Sequence, residues 1–229
     1  MSAGITVYNN NNILQISESF STMELVAKVT VSTGTSIQIP LYDAIAFKVP
    51  NGYWCSILTG QYYSQDNTQY IKFIGNSNIT YYQFRYSSGT IPAGNYFEIY
   101  DTNGNRIFSD GQQSLKVLSG YLGTYTGSAH TSETDGTGWG RSMDGTIVTS
   151  CPSRVNQAIL LNTPCTCMGW NYSGGQTEMR FHQQLGFSFN SDNSISALLK
   201  TTQNENNYGE EYWQIINDYS FLTVDISNL

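Results

Sequence analysis

Apolar and polar positions alternate in short runs along the first half of this chain, and each run ends in turn-forming residues. Residues 26–31 (Val-Ala-Lys-Val-Thr-Val) partly alternate, as a half-buried strand does. Residues 32–36 hold Gly34 and read as a turn. Residues 37–49 place Ile37, Ile39, Leu41, Ile45, Phe47 and Val49 in a strand interrupted near Pro40. Pro50-Asn51-Gly52 is a second turn. Strands follow at 53–63, 70–75 and 79–86, and 87–95 is a loop carrying Gly89, Pro92 and Gly94. Met23 begins a stretch that tempts a helix reading, but its β-branched residues favour a strand.

One pattern occurs twice. The first copy is Ile5-Thr-Val-Tyr8-Asn-Asn-Asn-Asn12-Ile-Leu-Gln-Ile-Ser17. The second is Phe97-Glu-Ile-Tyr100-Asp-Thr-Asn-Gly-Asn105-Arg-Ile-Phe-Ser109. Each reads as strand, turn and strand, and Asn103-Gly104 is a strong hairpin signal because both residues tolerate positive φ. A short strand is expected at 115–118.

At Gly120 the composition shifts. Residues 121–145 are rich in Gly, Thr and Ser and read as a long exposed loop or linker. Beyond it, 147–149 and 157–161 are expected as short strands, 169–175 as a turn and 178–190 as a strand. Residues 191–194 make a hairpin turn, with 195–201 as the return strand. Residues 211–217 fit either a strand or one helical turn, and 221–226 a closing strand. Strands recurring this often with turns between them predict an all-β, antiparallel β-sandwich. The Gly-rich stretch divides it into two β-sandwich halves: an N-terminal domain at 1–120 and a C-terminal β-rich domain at 121–229.

Charged residues are only 12% of the 229, so solubility rests on Asn, Ser, Thr, Gln and Gly. The net charge is −7, and the ten basic residues are scattered. That pattern excludes a phosphate-neutralising surface, so no nucleic acid is expected as partner. No apolar run is long enough for a membrane helix, so no membrane insertion is expected. No basic region followed by an apolar run opens the chain, which predicts synthesis in a cytoplasm.

Candidate chemistry is sparse. Cys151, Cys165 and Cys167 can be read as three zinc ligands, with His182 the nearest histidine. The Cys-x-Cys spacing is shorter than structural zinc sites use, and the fourth ligand is undefined. Buried thiols and a disulfide are the other readings, and Cys55 is the fourth cysteine. Glu133, Asp135 and Asp144 lie in the Gly-rich loop near Trp139, where two carboxyl groups suit a glycoside hydrolase; solvated loop acids is the plainer reading. Glu205, Glu210 and Glu211 read as solvated acids too. Neither His130 nor His182 sits beside a nucleophile elbow, and no phosphate-binding glycine loop occurs. Asp101, Asn103 and Asn105 match three ligand positions of a calcium loop, but Arg106 and Gln112 stand where Gly and Glu belong. Asn78-Ile-Thr80 and Asn171-Tyr-Ser173 fit the N-glycosylation acceptor pattern, and with no secretory signal in view they read as chance matches.

Aromatic residues are the remaining candidates. Trp139, Trp170, Tyr172, Tyr62 and Tyr81 are expected as exposed binding residues, since Tyr and Trp offer rigid area with a polar handle. Neighbours on a strand point to opposite faces. One Tyr of each pair, Tyr62-Tyr63 and Tyr81-Tyr82, is therefore exposed unless both faces of its sheet are covered.

The repeated hairpin, above all Tyr100-Asp-Thr-Asn-Gly-Asn-Arg-Ile-Phe-Ser-Asp110, resembles the opening hairpin of small β-sandwich proteins encoded among tailed-bacteriophage tail genes. Those close with a strand like Leu222-Thr-Val-Asp-Ile-Ser227. The resemblance covers the two hairpins and the last strand, and no catalytic motif comes with it. It implies a structural, non-enzymatic virion protein near the tail tip or fibre attachment, without cofactors, that assembles with other virion proteins and as a homo-oligomer. A lectin-like module touching a host-surface glycan or protein receptor through Trp139 and Trp170 is the alternative, and a glycan-cleaving enzyme the second.

Overall fold

The structure is a computed structural model that describes residues 7–8, 14–16, 23–60, 68–86, 94, 96, 98–100, 103–125, 147–163, 165–173, 176–204, 210–227 and 229. Of these, residues 7–8, 14–16, 59–60, 107, 167–181, 183, 201–204 and 210–216 are described by their backbone alone. Every regular element among the described residues is a strand. In chain order they are β1 (Val7–Tyr8), β2 (Leu14–Ile16), β3 (Met23–Val31), β4 (Ser36–Pro40), β5 (Ala44–Lys48), β6 (Tyr53–Gly60), β7 (Thr68–Gly75), β8 (Ile79–Tyr86) and β9 (Glu98–Tyr100). They continue as β10 (Arg106–Ser109), β11 (Lys116–Thr124), β12 (Ile147–Cys151), β13 (Gln157–Thr163), β14 (Thr166–Ser173), β15 (Gln176–Phe189), β16 (Ile195–Asn204), β17 (Glu210–Ile216) and β18 (Asp218–Asp225).

Two large antiparallel sheets form a β-sandwich. The six-stranded sheet runs β11-β18-β13-β5-β8-β3, and the eight-stranded sheet contains β12-β16-β15-β6-β7-β4, with β14 beside β15 and β17 beside β14. Aromatic contacts join them. Phe187 of β15 meets Phe47 of β5 edge-on at 5.8 Å and Phe221 of β18 at 4.9 Å. Phe73 of β7 stacks on Tyr81 of β8 at 5.4 Å. All five rings are buried in one cluster with Ile57, Ile159 and Leu185.

The six-stranded sheet also closes on itself at one end. Leu25 donates its amide to the Gln113 carbonyl and Leu115 donates to Met23, at 2.9 and 2.8 Å. The segment leading into β11 thus pairs with the start of β3, on the opposite edge of the sheet. The enclosed face is filled by a second cluster built on Ala46, Tyr82, Phe84, Ala158 and Val224. Both faces of this sheet are therefore covered. That is why Tyr81 and Tyr82, neighbours on β8, are only 8% and 5% exposed. Tyr81 was expected as an exposed binding residue; it belongs to the core.

The chain passes between the sheets at the corner from β4 to β5. Asp43 there is buried and takes hydrogen bonds from Arg85 at 2.9 and 2.8 Å and from the Gln83 amide. Gln69 donates to the Leu41 and Asp43 carbonyls at 3.3 and 3.2 Å. This corner separates the two strands predicted on either side of Pro40. Asp43 also raises the affinity of the Arg85 guanidinium for its proton, first through these hydrogen bonds.

A division into 1–120 and 121–229 is not how the sheets are built. β11 runs straight through Gly120, β13 pairs with β5, and β15 pairs with β6. Phe47 and Phe187, from opposite sides of that boundary, share a core. Residues 126–146, the Gly-rich stretch, lie outside the described residues. The turn expected at 169–175 is also displaced: β14 continues to Ser173, because its backbone is hydrogen-bonded to β15 on one side and β17 on the other. Paired on both edges, Gly169 stays extended. The stretch 211–217 resolves as strand β17.

A junction on β15 accommodates this extension. β6 pairs with Phe187–Phe189, and β14 takes over the same edge from Gln184 toward the strand's beginning. Where they part, the Ser56 hydroxyl donates to the Leu185 carbonyl and the Gln184 amide donates to Ser56 Oγ at 2.6 Å, all buried. Side chains there replace ladder bonds that the diverging backbone no longer makes.

Phe187→Ala removes the ring shared by both sheets. It is expected to cost about 3–5 kcal/mol of unfolding free energy in urea denaturation. A loss below about 1 kcal/mol contradicts the placement of Phe187 between Phe47 and Phe221.

Candidate functional site

The second hairpin is where the local sequence is most explicit. Gly104 adopts φ +81°, and Arg106 lies opposite Tyr100 in the β9–β10 register. Alternation then puts Glu98, Tyr100 and Arg106 within reach of one another. Arg106 Nε sits 3.1 Å from the Glu98 carboxylate, and its guanidinium lies 5.7 Å from the centre of the Tyr100 ring. The Tyr100 hydroxyl and the Gly94 amide both donate to Glu98. Those bonds, the tyrosine first, hold the Glu98 carboxyl below the usual carboxylate range. The Asn103–Asn105 part of the suspected calcium loop is the hairpin turn itself.

The chain leaving this hairpin forms one wall of a cleft of about 320 Å³. Its lining includes Asp110, Gln112, Ser114, Lys116, Asp225 and Leu229. Lys116 opens β11 and stands opposite Asp225, near the end of β18. Asp225 Oδ1 accepts the Ser227 amide at 2.9 Å. The Ser227 hydroxyl and amide, with Lys116 nearby, keep the Asp225 carboxyl below its ordinary range, so it is ionised at neutral pH. Asp110 Oδ2 accepts the amide of Tyr96 at 3.1 Å. Sequence reading passed over this cleft, because its walls meet only through the β11–β18 pairing and the closure onto β3.

The outer strands of both sheets form a second kind of surface. β12 and β4 carry no charged residue, and β11 carries only Lys116, at its first position. Leu122 on β11 is 85% exposed and Ile147 on β12 is 59% exposed. Val117 on β11, with Val26 and Val29 on β3, is exposed as well.

No family model, curated protein or solved structure matches the chain. The site therefore rests on geometry. Of the aromatics picked from sequence, Trp170 and Tyr172 lie on β14, opposite Met179 and Thr177 of β15. Their side chains, like the whole of Trp139 and Tyr62, fall outside the described residues, as do Glu133, Asp135 and Asp144. Among the residues with described side chains, the exposed aromatics are Tyr42, Tyr53, Tyr70, Tyr86, Tyr96 and Tyr100. Tyr96 and Tyr100 stand out in the sequence as well; Tyr42, Tyr53 and Tyr86 carry no adjacent-pair signal because they sit in a turn or at strand ends, where a ring meets water without a second sheet face.

Cys55, Cys151 and Cys165 are free thiols buried in the main core. Among the described residues no three His, Cys, Asp or Glu side chains come together as a metal site. Cys167 is described by backbone only, opposite Gln183. Burial pushes the Cys151 and Cys165 thiols up to about 11. His182 is buried on β15, and burial lowers its pKa to about 4. Among the described residues no helix is long and apolar enough to cross a membrane.

Two outcomes follow from this burial. Alkylation of the native protein by iodoacetamide at neutral pH should be at least about a hundredfold slower per thiol at Cys151 and Cys165 than in urea, followed by mass spectrometry. Rapid native labelling of Cys151 or Cys165 contradicts their burial. His182 takes up a proton near pH 6.5 when unfolded but only near 4 when folded, so the unfolded state binds the extra proton between these values. Stability is full above that window and falls as pH drops through it, by up to about 3 kcal/mol. His182→Gln should flatten this part of the profile in denaturant titrations; an unchanged slope contradicts a buried neutral imidazole.

Proposed function

We propose that this chain is a non-enzymatic structural component of a bacteriophage virion, at the tail tip or fibre-attachment region. In this reading it is made in the host cytoplasm and joins the virion by pairing with copies of itself and with other virion proteins. The observation that carries the assembly reading is the chemistry of the sheet edges. An outer strand presents a row of unpaired N–H and C=O groups, and soluble proteins usually blunt it with charge or proline. β11 beyond Lys116 and the whole of β12 do neither, and both add exposed apolar side chains in Val117, Leu122 and Ile147. Each has one bulge near its start, between Val117 and Ser119 and between Ile147 and Thr149, beyond which the edge is regular. The virion part of the reading rests on the twice-used hairpin, whose second copy folds as a separate two-stranded element at the end of the sandwich where β3 and β11 meet.

A Leu122→Lys, Ile147→Lys double variant places charge on two edges without touching the core. Light scattering behind size exclusion should find the unaltered protein as an oligomer. The variant should associate at least about tenfold more weakly, with its thermal midpoint unchanged within a few degrees. A wild-type protein that stays monomeric at every concentration, and is absent from purified particles, contradicts the proposal.

A further inference from the structure

The cleft beside the second hairpin goes beyond the assembly reading and does not depend on it. We propose that it binds a neutral saccharide, with Tyr96 at its rim. Four observations support this. The first is the kind of lining. Asp110 and Asp225 bring carboxylates, Gln112 an amide, Ser114 a hydroxyl and Lys116 an ammonium, with Leu229 the one apolar side chain among these six. A ligand suited to such walls must carry many hydrogen-bonding groups of its own, as a sugar ring does. The second is size: about 320 Å³ lies at the small end of known ligand pockets, which span about 300–1,000 Å³. One pyranose ring fits, with its neighbours trailing into solvent.

The third observation is charge. Asp110, Asp225 and Glu24, which accepts from Gln112, outnumber Lys116 and Lys28, which reaches the Leu229 carbonyl, so the cleft is net negative and disfavours sialic acids, uronic acids and phosphosugars. Carboxylates accept hydrogen bonds from sugar hydroxyl pairs, and an ionised acceptor makes the stronger bond. The fourth is the pair formed by Ser114 and Tyr96. Ser114 Oγ is buried and has no hydrogen-bond partner in the protein, so turning it into the cleft breaks no existing bond. Tyr96 donates its amide to Asp110, which lines the cleft, and the residue is 94% exposed. Its phenol ring, free in solvent beside the cleft, can swing over a bound sugar and offer an apolar face of the kind the C–H side of a pyranose stacks on.

The test uses the intact protein on an array of neutral and anionic oligosaccharides, followed by calorimetric titration of the strongest neutral binder. Tyr96→Ala, Asp225→Asn and Ser114→Ala are compared with Tyr42→Ala, an exposed tyrosine in the β4–β5 corner. Binding should weaken at least tenfold in Tyr96→Ala and Asp225→Asn and remain unchanged in Tyr42→Ala. Tyr96 is almost wholly exposed, so its variant folds even if an Asp225 variant does not, and thermal midpoints check both. The Leu122→Lys, Ile147→Lys protein should keep its sugar binding, which separates this site from assembly. Absence of any neutral saccharide binding, binding that survives Tyr96→Ala, or preference for a cation such as spermidine overturns the proposal.

Discussion

Buried rings packed between the two sheets hold the layers together, and Phe187 makes two of these contacts. It lies edge-on between Phe47 and Phe221, so one side chain of the eight-stranded sheet is locked to two strands of the six-stranded sheet. Edge-to-face contacts are directional, and they fix how the sheets face each other as well as excluding water. Around this point Tyr121 stacks on Phe221 at 4.8 Å and Phe73 on Tyr81, extending the aromatic layer toward both ends. The strands that carry these rings come from distant parts of the chain and share one core.

That packing decides what is left at the surface. With one face of the six-stranded sheet pressed on its partner and the other enclosed by the closure of 113–115 onto β3, the faces of that sheet offer little to a partner. Its edges, the corners and the second hairpin are more accessible. The β4 and β12 edges carry no charge and β11 only Lys116, and the second hairpin is rigidified by its own Glu98–Arg106–Tyr100 contacts. The closure also creates the cleft, since it draws residues 110–116 against the end of β18. The proposed assembly edges and the proposed sugar site are thus two consequences of the same arrangement.

Much of the strand pattern was legible because it is written locally. Asn103-Gly104 makes its hairpin, Pro40 marks the corner between β4 and β5, and Asn193 at φ 63° turns β15 into β16. Pairing between distant strands leaves no local mark. The change in composition at Gly120 resembled a boundary, yet β11 crosses it as a continuous strand, and the pairing of Phe47 with Ile159 joins the two segments. Tyr81-Tyr82 pointed correctly to a choice, one exposed ring or two covered faces, but only the closure of the sheet decided it. Gly169 signalled a turn because sequence shows its flexibility and not the two strands that hold it extended. His182, the histidine considered with the cysteines, lies buried on β15. The cleft had no signal at all: Lys116 and Asp225 become neighbours only through register.

Hydrogen exchange measured by mass spectrometry on dilute protein and on the assembled form tests the central claim, that uncharged sheet edges make the contacts. The account predicts that amides of β11 and β12 gain protection on assembly while those of β5 and β8, already paired on both sides, do not change. Equal exchange at β11 and β12 in both states would contradict it.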